Sequence, residues 1–159
     1  VNKQALIQKI VEKLTADLAL YFKAATIARA EATHEQSKAE NKYDTRGLEA
    51  SYLARGQSRQ AAEIEQSIHA IAAMEPKNFI PGAPIDLGAY VEIETRKVVS
   101  CYFLASRAGG TEVQIDDREV LVITPQSPLG KQLIGHREGE TVKIEVGGRT
   151  GSQRILRVA

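Results

Sequence analysis

The sequence predicts an α+β chain: an antiparallel helical hairpin, or coiled coil, followed by a small antiparallel β-sheet module with one short helix. Three observations carry this. From Gln4 to Ala39 there is neither Gly nor Pro, and apolar residues recur at three-and-four spacing. Residues 76–86, PKNFIPGAPID, hold three prolines and a glycine. After them the chain breaks into short β-branched runs separated by turn residues.

The first helix is marked by Ile7, Val11, Leu14, Leu18, Tyr21 or Phe22, Ala25, Ala28 and Ala32, a stripe close to a coiled-coil seam. A second helix starts near Leu48 and continues through Tyr52, Ala61, Ile64, Ile68 and Ile71 to Met74, where Pro76 stops it. Gly56 weakens it locally, by about 1 kcal/mol relative to Ala. Each helix is apolar along one stripe only, so each needs a partner, and the shortest solution is that they face each other. Helices of this length form a rod on the order of 50 Å long. Its seam shrinks from Leu and Ile near the N-terminus to Ala near residue 32, so the stretch Ser37–Gly47 is expected to be a slim tip.

The expected organisation is therefore an arm over residues 1–75, a stiff linker over 76–86 and a β module over 87–159. The strands of the module are AYVEIE, VVSCYFLA, TEVQI, EVLVIT, ETVKIEV and QRILRV. Turns are expected at Gly109-Gly110, Asp116-Asp117, Glu138-Gly139 and Gly147-Gly148. Between the fourth and fifth runs, Ser127 is placed to cap a short helix, Pro128 suits its first position and Gly135 can close it.

Composition narrows the function classes. The chain has 159 residues and a formal net charge of +1 at pH 7, without the basic excess of a nucleic-acid-coating protein. Cys101 is the only cysteine and sits in an apolar run, which reads as a small buried side chain in a reducing compartment. No apolar run reaches membrane-spanning length and no signal-peptide pattern opens the sequence, so a cytoplasmic protein with no membrane partner is expected.

The common catalytic signatures fail. His34, His69 and His136 are far apart and lack the spacing of a zinc site. Gly130-Lys131 resembles the end of a phosphate loop, but Gln132 replaces the required Ser or Thr and the upstream glycine is missing. No Gly-x-Ser-x-Gly occurs, and nothing pairs Cys101 with a histidine. The expectation is an accessory factor rather than an enzyme.

The segment Ile123–Val146, ITPQSPLGKQLIGHREGETVKIEV, together with the helical hairpin and the proline-rich joint, resembles the GreA/GreB family of transcript-cleavage factors. Ser127-Pro128-Leu129-Gly130-Lys131, Leu133-Ile134-Gly135, Glu138-Gly139-Glu140 and the final strand Arg154–Val158 carry the likeness. The resemblance implies an FKBP-like C-terminal domain that docks on RNA polymerase at its secondary channel. It implies a coiled-coil arm whose tip enters the channel near the 3′ end of nascent RNA. Acidic residues at the tip would help hold Mg²⁺ in the polymerase's own active site, which then cleaves backtracked RNA. Such a factor needs no pocket of its own, and hard carboxylate oxygens suit Mg²⁺.

The family's tip pattern is an aspartate, a Glu-Asn three residues later, and a tyrosine on the second helix. Glu40-Asn41 supplies the pair, with Ser37 where the aspartate would stand. A second register takes Asp44 as the acid, Glu49 as the second carboxylate and Tyr52 as the tyrosine. Both registers remain open, which leaves Asp44, Glu40 and Glu49 as the expected catalytic acids, with Asp44 and Glu40 toward the metal. Lys42, Arg46, Leu129 and Lys131 are the expected partner-binding residues. The plainer reading of the tip is a solvated turn in which these acids pair with Lys38, Lys42 and Arg46. Tyr43 would then close the hairpin, and Asp44 or Thr45 would cap the second helix. Leu129 or Ile134 suits a polymerase-facing patch, with core packing the favoured role for Ile134. The competing function is a regulator that occupies the channel without supplying metal ligands and competes with cleavage factors. A weaker third reading is an FKBP-like scaffold with a helical interaction arm.

Overall fold

A computed structural model of the chain describes residues 1–33, 46–146 and 148–159. Helix α1 spans Lys3–Thr33 and α2 spans Arg46–Ala72. Six strands follow: β1 (Tyr90–Thr95), β2 (Val98–Leu104), β3 (Glu112–Ile115), β4 (Arg118–Ile123), β5 (Thr141–Val146) and β6 (Arg149–Val158). Helix α3 (Pro128–Leu133) lies between β4 and β5 in sequence. The predicted α+β class is the observed one, a helical hairpin followed by a sheet with one short helix.

The chain divides into two compact units, Leu14–Ile68 and a second formed by Val1–Lys13 with His69–Ala159. The first holds most of both long helices. Among its described residues the buried side chains are Leu14, Ala25, Ala28 and Ala61, mostly small. The Arg29 guanidinium donates to the Ser58 hydroxyl at 3.3 Å, joining the two helices. Leu20, Phe22 and Ile27 face solvent, so of the adjacent aromatic pair it is Phe22 that points outward.

In the second unit the strand order is β3-β4-β2-β1-β6-β5. Neighbours are antiparallel with one exception, the parallel pair β2 and β4. The expected all-antiparallel sheet is corrected at that point. The chain leaving β2 first forms β3 on the outer edge, then turns back through Asp116-Asp117 into β4, which therefore runs alongside β2. Both aspartates have φ in the left-handed region, at 49° and 59°, where Asp is among the better-tolerated residues.

Side chains alternate between the two faces of the sheet. On one face, Val91, Ile93, Leu104, Ile123, Ile144 and Ile155 join Leu133 of α3 in a continuous core. On the other, register places Tyr90 beside Phe103, Phe103 beside Val122 and Cys101 beside Val120, and all of these are buried too. Leu6, Ile10 and Ile71 at the roots of α1 and α2 are fully buried in the same unit. Glu92 shares the row of Cys101 and Arg157, and its buried carboxylate pairs closely with Arg118 and at 3.8 Å with Arg157.

The proline-rich stretch is stitched to the module. Ile85 N–H donates to the His136 carbonyl at 2.8 Å, and its own carbonyl accepts from Gly135 N–H at 2.9 Å. Arg137 donates to the Gly82 carbonyl, and Lys3 donates to the carbonyls of Lys77 and Gly88.

Candidate functional site

Two places were expected to carry function, the arm tip and the neighbourhood of α3. Glu40, Lys42 and Asp44, together with Ser37, Lys38, Tyr43 and Thr45, lie outside the described residues. Arg46 and Glu49 fall in the first turn of α2, which begins two residues earlier than its apolar pattern predicts. Among the described residues no group of three or more His, Cys, Asp or Glu side chains is placed to hold a metal ion.

The α3 region is fully described and is built from local sequence. Ser127 is the N-cap: its hydroxyl accepts from Gly130 N–H at 3.0 Å and donates to the Thr124 carbonyl at 2.7 Å. Pro128 follows at the first helical position, where no backbone N–H is required. Gly130 is demanded by space, since a Cβ there would meet the Thr124 carbonyl oxygen at 1.9 Å. Gly135 takes up the left-handed conformation just past the helix, at φ 84°. Ser-Pro-Leu-Gly is thus a tight helix entry that turns the chain over the sheet.

The helix is fixed to β5 through Gln132, whose amide donates to the Glu145 carbonyl at 3.1 Å while its oxygen accepts from Glu145 N–H at 2.8 Å. Leu133 is fully buried beneath it, Leu129 is half-buried at the edge of the core, and Lys131 is exposed. Ile134, expected in the core, is instead 39% exposed. On so short a helix only one of two consecutive residues can face inward, and Leu133 takes that position.

Beside Leu129 a cavity of about 410 Å³ opens between α3 and the sheet, lined by Tyr102, Gly110, Leu121, Pro128, Leu129 and Glu145 among others. Its wall is mainly apolar with one carboxylate at the rim. That arrangement suits an apolar side chain of a partner, and it offers no paired acid and base for chemistry. Tyr102, Leu121 and Glu145 are absent from the sequence-predicted site. The signal that finds them is strand alternation: Tyr102 lies between Cys101 and Phe103 and must face the opposite side, toward α3.

Beyond α3, His136 Nδ1 lies 2.6 Å from a Glu140 carboxylate oxygen, and this hydrogen bond holds the Glu140 pKa below its ordinary value.

The chain thus combines a helical hairpin with a six-stranded module that presents an apolar cavity beside a capped short helix. A family profile described as "Transcription elongation factor, GreA/GreB, C-term" matches residues 84–159, the stretch that forms the six-stranded module. Among solved structures, the chain is similar to the GreA factor homolog 1 (Gfh1) protein of Thermus thermophilus, 23% identical over 94% of each chain with a TM-score of 0.40. It is likewise similar to Thermus aquaticus Gfh1, 23% identical over 92% of each chain with a TM-score of 0.41. A GreA/GreB elongation factor from Nitrosomonas europaea is 19% identical over 70% of this chain and 91% of its own, at a TM-score of 0.37. No curated protein sequence matches the chain significantly.

Proposed function

We propose that the chain is an RNA polymerase secondary-channel factor that assists cleavage of backtracked RNA. The observation that carries this reading is the match of residues 84–159 to the C-terminal domain of GreA/GreB transcription elongation factors. In this reading the module docks on the polymerase with the α3 region, where Leu129 and the cavity beside it receive an apolar side chain and Lys131 adds charge. The arm carries Glu40, Asp44 and Glu49 toward the polymerase active site, with Lys42 and Arg46 close to the RNA 3′ end. The metal concerned is Mg²⁺ shared with the polymerase, which supplies Lewis-acid stabilisation and an activated water. The contribution of this chain is carboxylate oxygen on a narrow support. Working from the cytoplasm on the polymerase's own chemistry, the protein is an accessory factor rather than an enzyme.

A second reading is favoured by one residue. Ser37 stands where the family pattern has an aspartate, so one of the acids that recruit metal is missing in that register. The chain would then occupy the channel without supporting cleavage, and would compete with factors that do support it.

The test is to backtrack a stalled RNA polymerase, add the chain with Mg²⁺ and follow RNA length. Shortened RNA from the wild type, lost in Asp44→Ala or Glu40→Ala, supports the first reading. Undiminished cleavage by both variants overturns the tip assignment. Competition with a known channel binder without any shortening selects the second reading.

A further inference from the structure

The side chain of Lys3 is out of place for a surface helix. It opens α1, yet it is only 9% exposed, and lysine is almost never buried this far without a partner. Its ammonium donates to the Lys77 carbonyl and, at 3.2 Å, to the Gly88 carbonyl. It also lies 4.7 Å from the centroid of the Phe79 ring. Among the described residues no carboxylate pairs with it, and the nearby Asp86 is 3.9 Å from Lys77 instead. Burial, with the Lys77 charge beside it, lowers the Lys3 pKa, so holding a charge here opposes folding unless the contacts compensate. The donor geometry is what makes the position useful. From the first turn of α1, one ammonium reaches the carbonyl of residue 77, near the start of the proline-rich stretch, and that of residue 88, just past its end. All of these residues belong to one compact unit.

We propose that Lys3 is a positioning residue: a buried clamp that ties the root of α1 to the strap formed by residues 77–88, and so fixes the point from which the arm starts. The inference rests on the proposed cleavage role and adds a requirement to it. An arm that delivers carboxylates to another protein's reacting atoms must start from a fixed root, because a misplacement of about 1 Å can cost about a hundredfold in rate. Binding through the α3 region has no such requirement. The clamp therefore acts on cleavage and leaves affinity for the polymerase alone.

Two variants of the full chain separate this from a plain packing role. Lys3→Met keeps an unbranched apolar stem and removes the donors. Lys3→Arg keeps the charge, with enough donors for both carbonyls. In hydrogen exchange on the free protein, Lys3→Met should speed exchange about tenfold in the first turn of α1 and across residues 77–88, with β1 and β6 unchanged and Lys3→Arg near wild type. Unchanged exchange in those two segments, or a uniform rise that includes the sheet, overturns the clamp. On backtracked polymerase at equal occupancy, Lys3→Met should cleave about tenfold more slowly than wild type while displacing a labelled channel binder at the same concentration. Equal cleavage by both proteins overturns the positioning role. If the wild type itself cleaves no RNA, the cleavage reading fails along with the positioning role drawn from it, and the exchange data decide the clamp separately.

Discussion

The sheet module and the helical arm solve the burial problem in different ways. In the module both faces of one sheet are covered, and the interior holds large side chains such as Tyr90, Phe103, Leu104, Ile144 and Ile155, all fully buried. In the unit formed by residues 14–68 the buried side chains beyond Leu14 are, among the described residues, alanines, while Leu20, Phe22 and Ile27 lie in solvent. Burial of apolar area stabilises by roughly 25 cal/mol per Å², so the module has the deeper reserve among the described residues. A slim seam keeps helices close together. A thick core suits a platform that must hold its surface features in place.

The contrast can be broken most forcefully in the module. Phe103→Ala removes a fully buried ring and should cost about 3–5 kcal/mol in denaturant unfolding, enough to unfold a marginal domain. Gly130→Ala should come next. The added methyl meets the Thr124 carbonyl, the helix entry has to shift, and a loss of about 1–3 kcal/mol is expected from the thermal midpoint. Ser127→Ala deletes the cap and should cost about 1 kcal/mol, with Ser127→Asp recovering most of it.

In the arm the same assay should return little. Phe22→Ser and Ile27→Thr, both at exposed positions, should each change stability by less than about 0.5 kcal/mol. A loss of several kcal/mol at either position would mean that the arm has an apolar partner in solution.

The smallest effect concerns acid. The hydrogen bond from His136 lowers the folded-state pKa of Glu140 below its ordinary 4.5. A depressed carboxylate pKa means that the unfolded chain binds the proton more readily. Its stabilisation is therefore present above pH 4.5 and is lost as pH falls through the lower folded value. Glu140→Gln should flatten that part of the acid limb slightly and leave the neutral plateau unchanged, as read from urea midpoints across pH. An unchanged acid limb would show that the pair is solvated in solution.

Much of this architecture is legible in the sequence because its signals are local. Alternation, turn residues and the Ser-Pro…Gly pattern around α3 each depend on neighbours a few positions apart, and five of the six strands fall within a residue of where those signals place them, β6 opening four residues earlier. The parallel pairing of β2 with β4 depends on which strand takes the outer edge, which no local pattern encodes. Ile134 reads as a core residue by its hydrophobicity, whereas the direction α3 takes across the sheet buries Leu133 instead. The α3 cavity needed Tyr102, Leu121 and Glu145 from three different strands to be brought together. Lys3 gave no sequence signal, since a lysine opening a helix is ordinarily solvated and its acceptors are backbone carbonyls more than seventy residues away.

The central claim is that the module docks on RNA polymerase through the α3 region while the arm does the rest. It is tested most directly by displacement of a labelled secondary-channel binder from purified RNA polymerase, with wild type and Leu129→Asp compared side by side. The account predicts saturable displacement by the wild type and a loss of at least about tenfold in the variant, since a charge enters an apolar contact. Equal displacement by both proteins, or none by the wild type, would contradict it.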